Sequence, residues 1–113
     1  MELTSLAQLG RLEKEFEINK ELKVKLHTLN SEEQQKALLS VSDSYPNEVA
    51  KSSHFQTCIL TLATSEVNGE KVKEEELKEF YKVIQYPLLV QIFANYLELA
   101  EEQGKVLVEL KKK

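Results

Sequence analysis

Cysteine occurs once in the 113 residues, proline twice and glycine three times. The single Cys58 excludes a disulfide within the chain and fits a reducing compartment. With so little glycine and proline, long regular elements are favoured over loops. No stretch approaches the ~18 uninterrupted apolar residues of a membrane span, and residues 1–30 hold no apolar run suited to a signal peptide. An excess of positive charge is missing as well. With a net charge of −4 and a pI near 5.3, no general field draws the chain to nucleic acid or to an anionic membrane. Its one basic cluster, Lys111-Lys112-Lys113, suits the carbonyl end of a helix. A glycine-rich phosphate loop, a nucleophile elbow and an aspartate-rich metal loop are all lacking. The sequence therefore predicts a protein that is not an enzyme, with no catalytic, cofactor-binding or metal-binding residues.

Apolar residues make up 42% of the chain and charged residues 30%, the balance of an ordinary folded domain. A chain of this size buries roughly 60–70% of its unfolded surface, enough for one core without staples. We expect a single domain over residues 1–113. Residues 1–11, with Leu3, Leu6 and Leu9 at helical spacing and Gly10 after them, read as a flexible arm or a frayed helix.

From Leu12 the period changes to two. Phe16 and Ile18, then Val24 and Leu26, alternate with charges, and Asn19-Lys20-Glu21 breaks the run at a turn. Residues 12–29 are thus a β-hairpin, with Glu15 and Glu17 set against Lys23 and Lys25. Two strands alone are marginal in water, so the hairpin must lie on helices or pair with another chain.

Residues 31–113 read as helical. Ser31 and Gln34 have the spacing of a capping box, and a helix should follow to about Val41. Pro46 offers the start of a second helix, from Asn47 to about Glu66. Asn68-Gly69 then reads as the end of that helix rather than as a turn between strands. A third helix begins at Glu74-Glu75-Glu76 and should stop at Tyr86, before Pro87. The last runs from Pro87 to about Leu110, with Gly104 as its weak point. The expected fold is α+β and predominantly helical: an N-terminal hairpin packed on a four-helix array with a long C-terminal helix.

That last helix carries the functional question. Gln91, Asn95, Glu98 and Glu102 form one narrow polar stripe. Leu89, Ile92, Tyr96 and Leu99, continued by Gln103, Val106 and Leu110, form an apolar seam, and Phe93, Leu97, Ala100 and Leu107 form a second beside it. A surface helix needs an apolar arc of only ~100° or somewhat more. The domain's own hairpin and helices offer one cover for the remainder. A helix of roughly 24 residues is about 36 Å long, however, and should overhang a domain whose radius of gyration is ~13 Å. Apolar surface beyond the core marks a partner. The expected interface is Leu89, Ile92, Phe93, Tyr96, Leu97, Leu99, Val106, Leu107 and Leu110.

His54 and Cys58, four apart on one helix face, are the best candidates for chemistry and would supply half a zinc site. His27 lies in the hairpin and no second Cys exists, so a buried Cys acting as a small hydrophobe is the better reading.

The order of elements resembles small tail assembly chaperones and baseplate-hub assembly proteins of contractile-tailed phages. The likeness runs over residues 15–110 and lies in FEINKELKVKL, LNSEEQQKALL, LTLATSEVNGEKV and YPLLVQIFANYLELAEEQ. It implies a protein that holds tail, tape-measure or baseplate-hub proteins during morphogenesis, in the host cytoplasm, with no catalytic residues. Two alternatives stand beside it: a structural baseplate or tail subunit retained in the virion, and an unrelated cytoplasmic helical adaptor. Self-association into a homo-oligomer is compatible with each. The KVLVELKKK end and the short N-terminal arm depart from the family pattern.

Overall fold

The computed structural model describes residues 9–40 and 47–112, with side chains through Glu109. Strands β1 (Glu13–Asn19) and β2 (Leu22–His27) pair antiparallel, with Phe16 opposite Val24. Alternation sends Phe16, Ile18, Val24 and Leu26 to one buried face, as the period predicts. Asn19 shapes the turn by accepting a bond from the Glu21 N–H at 2.8 Å.

The sheet has four strands, in the order β1-β2-β3-β4, rather than two. Strand β3 (Thr64–Val67) pairs antiparallel with β2, and β4 (Glu70–Lys71) closes the sheet. Asn68-Gly69 therefore joins two strands, which corrects its reading as a helix end. Both residues have positive φ, 52° and 81°, the conformation of the tight hairpin turn that Asn-Gly favours. Asn68 also ties the turn to β2: its Oδ1 accepts from Lys23 N at 2.8 Å and its Nδ2 donates to Glu21 O at 3.0 Å.

Helix α1 (Ser31–Leu39) is capped one residue earlier than expected. Asn30 accepts from Glu33 N at 2.8 Å, and Glu33 Oε1 accepts in return from Asn30 N at 3.0 Å. Helix α2 (Glu48–Ala63) is capped by Asn47, whose Oδ1 accepts from Ala50 N at 2.8 Å. It stops before Glu66 because Thr64 turns to extended backbone and enters β3. Pro46 and Val41 lie outside the described residues. Helix α3 (Glu74–Val83) ends earlier than Tyr86, where Ile84 becomes extended. Helix α4 (Tyr86–Lys112, 27 residues) starts one residue before Pro87, which sits harmlessly in the first turn, where helix N–H groups lack intrahelical partners.

The buried sheet face lies on α4, and α2 packs against α1, α3 and α4. Val24, Leu26, Leu60, Tyr81, Ile92 and Leu99 are its largest fully buried side chains. The Tyr81 hydroxyl donates to Thr64 Oγ1 at 2.6 Å, leaving the Thr64 hydroxyl to donate to Leu60 O at 2.6 Å. Burial, which disfavours the charged phenolate, pushes the Tyr81 phenol up to about 12. The architecture is α+β and predominantly helical, with a long C-terminal helix.

Candidate protein-binding surface

Helix α4 divides the predicted interface in two. Leu89, Ile92, Tyr96 and Leu99 are buried in the domain's own core, with Ile92 at 0% and Leu99 at 1% exposure. That seam is occupied by the chain itself, so in the folded protein it is not a surface. Burial raises the Tyr96 phenol above its ordinary value, and the nearby Glu33 charge adds to the shift. Phe93 and Ala100 are half-buried at the rim of the core. Phe93 stacks on Tyr96 with ring centroids 6.0 Å apart.

Leu97, in contrast, is 52% exposed and Val90 is 43% exposed. At 100° per residue, Tyr86, Val90, Leu97 and Val108 fall within an arc of about 40°, and all four are exposed. Tyr86, Val90 and Val108 were absent from the predicted set. Their signal was available in the sequence, since they project with Leu97, but the apolar seams alone did not show which one the core would take.

The distal part of α4 leaves the core after Leu99. Gln103 Nε2 donates to Gly10 O at 3.1 Å, and a Cβ at Gly10 would come within 2.7 Å of Leu107 Cδ2. Gly10, at φ +84°, thus lets the segment before β1 cross closely over the helix. Lys14 reaches Glu102 at 3.8 Å. Val106, Leu107 and Val108 nonetheless remain exposed. Leu110 lies beyond the described side chains. The radius of gyration, 15.0 Å, exceeds the ~13 Å of a compact domain this long, as an overhanging helix of 27 residues requires.

The solvated face of the sheet is organised by charge. Glu15 lies opposite Lys25 and Glu17 opposite Lys23, the register expected from the alternation. Lys25, however, bridges Glu13 and Glu66, at 3.5 Å each, rather than Glu15. These two carboxylates, Glu66 foremost, raise the Lys25 ammonium above its ordinary value. The Ser65 hydroxyl, 2.7 Å away, does most to lower the Glu13 carboxyl, with Lys25 and Arg11 contributing against partial desolvation. Among the described residues, neither the Glu15 nor the Glu17 carboxylate has an ion-pair partner.

His54 and Cys58 do meet, with Nε2 3.4 Å from Sγ, but the same nitrogen lies 3.2 Å from the Ser40 carbonyl at the end of α1. The pair borders a cavity of about 140 Å³ with Lys36, Thr57, Glu74 and Lys78, smaller than the ~300 Å³ at which small-molecule sites begin. Among the described residues no three metal-ligating side chains converge, and no helix is long and apolar enough to cross a membrane. Comparison with family models, with curated proteins and with solved structures finds no match to this chain.

Proposed function

We propose that this chain is a non-enzymatic assembly protein that binds tail or baseplate-hub proteins while a phage tail is built in the host cytoplasm. The binding part rests on one observation: α4 buries Leu89, Ile92, Tyr96 and Leu99 in the core, with Phe93 and Ala100 at its rim, and leaves Tyr86, Val90, Leu97 and Val108 aligned and exposed. Aromatic and branched apolar side chains held on a rigid helix are the usual anchors of a helix-in-groove contact. The phage part rests on the likeness of the segments LTLATSEVNGEKV and YLELAEEQ, the first of which folds as the end of α2 and the β3–β4 hairpin.

Purification of the tagged chain from infected cells, with identification of the bound chains, tests both parts. Tail-tube, tape-measure or hub proteins should accompany the wild type and be lost from a Val90→Asp/Leu97→Asp variant that still folds. Recovery of no phage chain would refute the assembly role, and equal recovery with the variant would refute the α4 surface.

A further inference from the structure

Among the described residues, β1 is an edge strand of seven residues, whereas the opposite edge, β4, has two. Which of its backbone groups are free follows from the ladder. The Thr28 N–H donates to Leu12 O at 2.9 Å. The Leu12 N–H donates to the Thr28 hydroxyl at 3.0 Å, and by the two-residue alternation of an antiparallel pair Lys14 and Phe16 spend their backbone groups on β2. Glu13, Glu15 and Glu17 therefore turn N–H and C=O toward the open edge, and they carry their carboxylates on the solvated face. Each row of that face has one sign: Glu on β1, Lys23 and Lys25 on β2, Glu66 on β3, Lys71 on β4. The next row, outside β1, should be positive.

A second copy of this chain supplies no positive row. In two-fold antiparallel pairing of β1 with itself over its full length, Glu15 lies opposite Glu17 and Glu13 opposite Asn19, and directly opposed like charges destabilise a sheet. On the other face, Phe16 and Ile18 are buried to 9% exposure, and the Lys14 ammonium lies 5.3 Å over the Phe16 ring. An added strand would meet Lys14 and the rims of those two apolar side chains there.

We propose that β1 accepts a fifth strand from a partner protein: an extended segment with Lys or Arg at alternate positions and apolar residues between them. Main-chain bonds to Glu13, Glu15 and Glu17 hold it, Glu15 and Glu17 select its charge, and Phe16 and Ile18 receive its apolar side. The proposal builds on the binding role given above, but a different surface carries it, so the two can fail separately.

The probe is acetyl-Lys-Val-Lys-Val-Lys-Val-Lys-amide, with the same residues in two blocks (four Lys, then three Val) as control, added to the isotope-labelled full chain at low ionic strength. The alternating peptide should slow amide hydrogen exchange at Glu13, Glu15 and Glu17 by at least about tenfold, and the block peptide should not. Glu15→Lys/Glu17→Lys should weaken the alternating peptide about tenfold and favour its Glu-for-Lys counterpart. Glu15→Pro removes an outward N–H that β2 does not use and should abolish binding, while Glu15→Gln keeps most of it. Val90→Asp/Leu97→Asp should bind the peptide as the wild type does. Unchanged exchange at those amides, an equal effect of the block peptide, or Glu15→Pro binding like Glu15→Gln would each overturn the proposal.

Discussion

Leu97 and Leu99 stand two residues apart on α4; one is 52% exposed and the other 1%. Both are leucines on a helix whose apolar residues cover most of its girth, so composition does not separate them. Direction does. The sheet and α2 meet α4 from one side, and the side chains on that side, Leu89, Ile92, Tyr96 and Leu99, become core. About 120–160° around the helix from Ile92, Tyr86, Val90 and Leu97 find no cover within the described domain. An apolar surplus on a helix thus reports the sum of core and partner demand, and only the packing divides it.

The sharpest way to test the division is to truncate one residue from each flank. Ile92→Ala and Leu99→Ala should each cost about 2–5 kcal/mol in denaturant unfolding, because each leaves a cavity in a closed core. Leu97→Ala should stay within about 0.5 kcal/mol. The core side also has a pH signature. Tyr81 has a folded pKa of about 12, above the ~10 of an unfolded phenol. Its contribution is fully present below about pH 10 and is lost as pH rises through about 12, a loss of about 2–3 kcal/mol. Unfolding free energies between pH 9 and 12 should show the decline, and Tyr81→Phe should remove that part of it. Gly10→Ala probes the distal helix. Its φ of +84° disfavours a side chain, and Leu107 must move aside, so about 1–2 kcal/mol should be lost, with faster amide exchange around Gln103.

The sequence made parts of this legible and hid others for physical reasons. The β1–β2 hairpin was readable because alternation persists through Phe16, Ile18, Val24 and Leu26. The second hairpin was not, since β3 has four residues and β4 two, too short for a period to appear. Asn68-Gly69 carried the correct turn signal, and an apolar helix running directly into Thr64 masked it. The cap of α1 moved from Ser31 to Asn30 because both residue types suit the position, and the Glu33 partner decided between them. On α4 the apolar seams were legible, as was the overhang implied by the helix length. Which seam faced inward depended on β1, β2 and α2, a tertiary fact that no local pattern carries. Tyr96 and Leu99 looked like partner anchors for that reason, and substituting them would test folding rather than binding.

The division of α4 is tested most directly by comparing thermal unfolding and partner capture in Val90→Asp/Leu97→Asp. The account predicts a melting temperature within about 2–4 °C of the wild type together with loss of the bound tail or hub proteins. A variant that melts as early as Leu99→Ala, or one that folds and keeps every partner, would contradict it.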